Sequence, residues 1–405
     1  MRLLILTPQL PYPPHQGTSL RNFNLIAGLA HRHRVYLLSL IPPAYDPADA
    51  RPLQEICEAV QAVPQPARTV RQRLWTTLTS PLPDMAHRLA CPALDALLAQ
   101  ALASQAFDVI EIEGIEMTPY LRTIRAHTQA LASRPRLVFD DHNAEYVLQK
   151  RVFASDIWRP HRLPGAIYSF VQWHKLERYE AWACRQVDAV SAVSDEDAAA
   201  LQRIVPGLQV TVAPNGVDMA YYQGFALSER ILPPHSLVFT GKMDYRPNVD
   251  AVLWFVRHVF PLIRSSVPDA HFYIVGQQPH RRLEPLRRQP NVVITGRVPD
   301  TRPYIASADV YVVPLRSGGG TRLKVLEAMA MRRAIVSTTM GCDGFPVTSG
   351  HEVVLADDPH AFASRVVELL ADAERQRALG EAGLCFAHQY DWSLIVPRIE
   401  AMYEA

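Results

Sequence analysis

A chain of 405 residues, 48% of them hydrophobic, can bury two cores, and two domains is the expected division. Its 41 Lys and Arg nearly balance its 40 Asp and Glu, with no basic half and no interleaving of aromatic and basic residues, which excludes nucleic acid as the expected partner. Five cysteines without a Cys-x-x-Cys pair exclude a disulfide framework and a zinc ribbon and fit a reducing compartment.

The chain opens on "LLILT", too short for a signal peptide and broken by "PQLPYPP". No stretch approaches the ~18 apolar residues of a membrane span, so the expected location is cytoplasmic. After the first run come "VYLLSL", "DVIEIEG", "RLVFDD", "DAVSAVS" and "VTVAP", read as strands with helical patterns between them. Residues 42–90, rich in proline and alanine, are expected to be mostly helical. A further helix over 163–187 carries "WHKLERYEAWACR"; a solvated helix face is the preferred reading there over an acceptor- or membrane-facing one. "DED" at Asp195–Asp197 follows Ser194, and acidic residues in a first turn are what the helix dipole favours, so this is a helix start and not a metal motif.

Pro214, Asn215 and Gly216 break the last of these runs, and a second series begins: "LVFTG", "HFYIVG", "NVVITG", "DVYVVPL", "AIVSTT" and "EVVLA", again alternating with helices. Strand, helix, strand at this rhythm predicts two doubly wound α/β domains with parallel sheets, over 1–214 and 215–385.

Ligands of such sheets bind beyond the carboxyl ends of the strands. The first such loop holds Gly17 but not the Gly-x-Gly-x-x-Gly of a dinucleotide fold, which excludes a dehydrogenase. "DHNAEY" with His142 and Glu145 follows a second strand, Glu113 ends "DVIEIE", and Lys242 and Arg246 follow "LVFTG". Gly276 and Arg297 mark two further strand ends. "PLRSGGGTRLKVLEAMAM", Pro314–Met331, raises a specific problem. Arg322 and Lys324 stand at a helix N-terminus, which already carries about half a positive charge. An anion bound there resolves it: Gly318, Gly319, Gly320 and Thr321 let the backbone approach a diphosphate, the two cations neutralise it, and Glu327 accepts ribose hydroxyls.

Together, "PYPPHQGTSLRNFNLIAGLA", "DHNAEY", "DAVSAVS", "VTVAPNGVD", "FTGKMDYRPNVDAVLWF" and "GGGTRLKVLEAMAM" resemble the family 4 glycosyltransferases of the GT-B fold, in particular bacterial sugar transferases of exopolysaccharide loci. The resemblance implies two Rossmann-like domains facing across a cleft, with a C-terminal helix over 386–405 crossing back to the N-terminal domain. It implies a UDP or GDP type sugar donor, a glycan or lipid-linked acceptor with possible contact at the inner face of the membrane, and transfer with retention of configuration. In that pattern Gly17 lies near the donor phosphate, His142 near the donor sugar, Lys242 on the phosphate and Glu327 on the ribose, with Glu113 and Glu145 as acceptor-side candidates. Two positions depart from the pattern: Gly319 stands where the family has a first glutamate, and Pro247 where it has a second basic residue.

No carboxylate pair of the hydrolase type is evident, so same-face transfer is expected, without metal or cofactor, the departing phosphate taking the acceptor proton while Lys242, Arg322 and Lys324 stabilise it. A nonhydrolysing sugar-nucleotide epimerase and a non-catalytic nucleotide-sugar-binding subunit are the alternatives.

Overall fold

In the N-terminal half the apolar runs form parallel strands: β1 Arg2–Thr7, β2 Arg34–Ile41, β3 Ala59–Pro64, β4 Val109–Glu113, β5 Arg136–Asp141, β6 Ala189–Ala192 and β7 Val210–Val212, in the order β3-β2-β1-β4-β5-β6-β7. The structure is a computed structural model that describes residues 1–14, 17–43, 45, 50–158, 160–318 and 322–404. β1 and β4 are buried on both faces, as strands covered by helices on each side must be, and this is why they read as continuous apolar runs. The order reverses between β1 and β4, which opens a crevice beyond their carboxyl ends.

β3 corrects the expectation of a mostly helical stretch over 42–90. Ala59–Pro64 pairs only with β2, at the sheet edge, where Gln61 and a terminal Pro64 are tolerated. The helices there are short: Arg51–Ile56, Val70–Thr79 and Asp84–Arg88. The helix expected over 163–187 runs Leu163–Cys184. Ser194 accepts a hydrogen bond from the Asp197 amide, so the acidic triplet does open a helix.

The second half repeats the architecture with β8 Ser236–Thr240, β9 His271–Val275, β10 Val292–Gly296, β11 Val310–Val313, β12 Ile335–Ser337 and β13 Val354–Leu355. All pair in parallel, in the order β10-β9-β8-β11-β12-β13, reversing between β8 and β11. One continuous core fills this unit, Phe239, Phe255, Phe272 and Phe362 being fully buried in it.

The chain divides into Met1–Asn215 with Trp392–Ala405, and Gly216–Asp391. The returning segment therefore begins at Trp392 and not at 386. Helix Ala373–Ala387 stays with the second unit because Gly380 and Gly383 let it lie against Arg332 and Met329; a Cβ on Gly380 would meet the Arg332 carbonyl oxygen at 2.3 Å. Helix Trp392–Glu400 packs in the first unit on Gly17–Ala30, where Ile395, Val396 and Ile399 share a core with Leu25, Ile26 and Leu29. Among the described residues no helix is long and apolar enough to cross a membrane.

Candidate active site

Each sheet carries polar groups at its own switch point. In the second unit the group is built on helix Leu323–Ala330, which follows β11. Lys324 does not project into solvent from the first turn. It runs beneath the end of β8, donating to Thr240 O (2.7 Å) and Asn248 Oδ1 (2.9 Å), with Nζ 4.0 Å from the centre of the Phe239 ring. Asn248 also donates to Lys242 O (2.9 Å) and so ties the loop after β8 to the lysine. One turn on, Glu327 lies near Tyr222. Burial pushes both groups toward their neutral forms: Lys324 falls to about 7, with Glu327 opposing and Arg322 adding to the fall, while Glu327 rises against the pull of Lys324 and Tyr222. An arriving phosphate would reverse this for the lysine.

Arg322 is turned differently from the sequence expectation. Its guanidinium donates to Gly318 O (2.9 Å) and Met340 O (3.4 Å), and so ties Gly318 to Met340. Gly318 has φ 113°, and a Cβ there would lie 3.1 Å from Pro247; the loop needs glycine at that point. Gly319, Gly320 and Thr321 lie outside the described residues.

Lys242 and Arg246 are half exposed and exposed, paired loosely with Asp244 (3.5 Å) and Asp250 (3.6 Å). Gly276 lies where β9 ends against β8: a Cβ would fall 1.7 Å from Gly241 O, so its role is to let two backbones meet. Arg297 is exposed beyond β10, the edge strand, two strands from β8, and is not brought to the group around Lys324.

In the first unit, helix Gly17–Ala30 sends Arg21 into the core. The guanidinium binds Asp140 with both ends, Nε to Oδ2 at 2.6 Å and Nη2 to Oδ1 at 2.9 Å, and donates to Ala213 O at 3.0 Å. Ser191 adds a third hydrogen bond to Asp140 (2.6 Å). Burial would raise Asp140, but the Arg21 charge and these hydrogen bonds outweigh it and hold the carboxyl at about 2.

His142 Nε2 stands 2.8 Å from Glu113 Oε2 and 3.7 Å from Asp140 Oδ2. With its amide oriented to satisfy both neighbours, Asn22 donates to Glu113 Oε2 (2.9 Å) and Thr18 O (3.2 Å). Burial, then the neighbouring Asp140 charge, drives Glu113 well above the carboxylate range, and burial lowers His142. Tyr403 closes the row, its hydroxyl 2.5 Å from Glu111 Oε2. Glu113, Asp140 and His142 offer ligand atoms within 4.8 Å of one another, but a cation there would have to displace the guanidinium that occupies both Asp140 oxygens.

Beside this network lies a cavity of about 270 Å³, lined among others by Thr18, Glu116, Asp141, His142, Asn143 and Glu145. His142 Nδ1 points toward Gly114 at its wall. Glu145 opens helix Glu145–Asp156; burial, with the Glu116 charge adding, lifts it to about 8. Glu113 does not line the cavity. Gly17 starts its helix exposed, with open space where a Cβ would stand.

Sequence reading missed Arg21, Asp140, Ser191, Asn248 and Tyr222. Arg21 and Asp140 are 119 residues apart, and only the β1–β4–β5 order brings them together. Nothing in the spacing of Asn248 or Tyr222 along the chain marks them.

Two all-parallel sheets of like strand order, each with polar groups at its switch point, define a two-domain α/β protein of the GT-B class. The chain belongs to Glycosyltransferase Family 4, whose model matches residues 16–221, and the model described as glycosyl transferases group 1 matches 234–372. It is 28% identical over 227 residues to a phosphatidyl-myo-inositol mannosyltransferase of Propionibacterium freudenreichii, covering 54% of this chain and 56% of that one. It is also 28% identical over 225 residues to the lipopolysaccharide core biosynthesis mannosyltransferase LpcC of Rhizobium leguminosarum, covering 51% and 61%. The chain spans about half the length of the curated relatives it matches. Anabaena HepE, solved in complex with UDP and glucose, has the same fold at 15% identity, with a TM-score of 0.63 over the whole of both chains.

Proposed function

We propose that the protein is a glycosyltransferase that moves a sugar from a nucleotide-diphosphate donor to a glycan or lipid-linked glycan of the cell surface or exopolysaccharide, with retention and without metal or cofactor. The observation that carries this is the Lys324–Glu327 pair, partly buried at the β8/β11 switch point between Thr240, Asn248 and Tyr222. A lysine held near neutrality at a strand end is poised to gain charge when a diphosphate arrives, and a carboxylate one turn further suits ribose hydroxyls. Charge developing on the departing phosphate would meet Lys324, Lys242 and the free amides of the helix start.

His142, oriented by Glu113, which Asn22 holds in turn, contributes a polar contact to the donor sugar at the wall of the first unit's cavity. The relatives named as mannosyltransferases put GDP-mannose beside UDP-sugars among the first donors to assay.

Calorimetric titration with UDP, GDP and ADP in the presence of a chelator tests the donor reading. One nucleotide should bind at micromolar level, and Lys324→Ala and Glu327→Ala should each weaken it. Folded wild-type protein that binds none of the three would overturn it. NMR of the product's anomeric carbon tests retention.

A further inference from the structure

The cavity beside His142 is unevenly charged. Glu116, Asp141 and Glu145 bring three carboxyls to its wall, and among the described residues Arg88 is the one lysine or arginine that lines it. Arg88 stands 3.6 Å from Glu116, and it acts on Glu145 more weakly than Glu116 opposes it.

Strand β5 sets the contrast within two residues. Asp140 and Asp141 follow one another and so face opposite sides of the sheet. On one side Arg21 binds both oxygens of Asp140. On the other, Asp141 is 1% exposed, the charges that act most on it are carboxylates, and its Oδ2 has no hydrogen-bond partner among the described residues. The carboxyls packed nearest it are Glu180, on helix Leu163–Cys184, and Asp197, on helix Asp195–Ile204, and both are engaged. Glu180 accepts from the amides of Glu145 (2.6 Å) and Tyr146 (3.2 Å), and Asp197 from the Ala144 amide (3.0 Å) and the Ser194 hydroxyl (2.6 Å). These two hold the start of helix Glu145–Asp156. Asp141 has no such task, and it lines the cavity.

A buried carboxyl without a cation keeps its proton. Burial, then the Glu180 charge, drives Asp141 well above the carboxylate range, as burial and Glu116 drive Glu145. A ligand carrying its own positive charge would take the place of that proton and give Asp141 what Arg21 gives Asp140. A phosphate or carboxylate would be repelled, and a hydroxyl would leave the charge deficit as it is. A bare divalent ion fits less well, because it needs several oxygens converging on one point. The set whose ligand atoms converge among the described residues is Glu113, Asp140 and His142, which includes neither Asp141 nor Glu145. The cavity, about 270 Å³, lies just below the ~300–1,000 Å³ of small-molecule sites, a size for one sugar ring, and Gln9 and Thr18 add polar contacts for ring hydroxyls.

We infer that this cavity takes an acceptor sugar bearing a free ammonium group, seated against Asp141 and Glu145. The inference rests on the transfer reading and narrows its acceptor to an amino sugar that is not acetylated.

The full chain is titrated at pH 7, without donor, with the methyl glycosides of glucosamine, galactosamine and mannosamine, and with their N-acetyl and parent hexose counterparts. At least one amine should bind about tenfold tighter than both of its neutral counterparts. Asp141→Asn, which puts an amide of the same shape in place of a protonated carboxyl, and Glu145→Gln should each bring that amine to the level of the neutral sugars. Melting temperature and nucleotide binding should stay as in wild type. Neutral sugars that bind as tightly as the amines, binding of no sugar, or a preference untouched by both substitutions overturns the inference. So does binding of magnesium or calcium alone, lost in both variants, where no amine binds. Nucleotide titration of the same protein separates the two readings. Nucleotide bound without an amine preference overturns the acceptor assignment alone, whereas an amine preference without nucleotide supports the ammonium site and overturns the transfer reading.

Discussion

Lys324 is the residue whose setting makes the sharpest prediction. Its folded value of about 7 lies below the ordinary 10.5, so between those pH values the unfolded chain binds more protons than the native one. The lysine's contribution to stability therefore rises with pH across that window. A bound diphosphate restores the charge. Titration with the cognate nucleotide at pH 8, in buffers of different ionisation enthalpy, should show uptake approaching about one proton per nucleotide, absent in Lys324→Met. Uptake unchanged in the variant would place the anion elsewhere. Arg21 makes the opposite case. Replacing it with Met leaves Asp140 fully buried without its counter-charge, and should cost about 3–5 kcal/mol in urea unfolding. In wild type the low Asp140 value means stability present above pH 3.8 and lost as pH falls toward about 2. Glu113→Ala should free the His142 ring and lower turnover at least about tenfold, with nucleotide binding in the second unit unchanged; Glu113→Gln, which keeps a hydrogen bond, should recover part of the loss.

At the scale of elements, the meeting of β8 and β9 at Gly241 and Gly276 sets where the loop bearing Lys242 starts. Gly276→Ala puts a methyl carbon where a backbone oxygen stands, so the strand ends must part. It should lower the melting temperature of the second unit and abolish nucleotide binding, although the residue presents no side chain to a ligand. Elements of this kind were legible because the strands are runs buried on both faces, and such runs stand out against helical patterns. β3 was not, because an edge strand of Ala, Val, Gln and Pro, only partly buried, lacks the apolar density of that signal. The site divides the same way. Lys324 and Glu327 could be found from spacing along one helix, whereas the inward turn of Arg322 onto two carbonyls and the reach of Arg21, on the helix after β1, to β5, two places from β1 in the sheet, arise only once the chain is folded.

For the whole molecule, the last residues complete the first unit. Trp392, Ile395, Val396, Ile399, Met402 and Tyr403 share the core with β1 and β2, and the Tyr403 hydroxyl meets Glu111 inside the sheet. Ending the chain at Asp391 should strip that core and leave the second unit's unfolding transition intact in calorimetry, while the first unit's transition is lost or shifted down by many degrees. If both transitions survive unchanged, the segment is dispensable packing.

The same arrangement governs how the protein is made. Gly216–Asp391 is an uninterrupted stretch that holds all six strands of its sheet, whereas the first unit, begun earlier on the ribosome, lacks part of its interior until helix Trp392–Glu400 has left the exit tunnel. The usual order of folding during synthesis, first domain first, is thereby inverted. The second unit can finish while translation continues, and the first must wait, with the apolar side of helix Gly17–Ala30 uncovered, until helix Trp392–Glu400 has emerged.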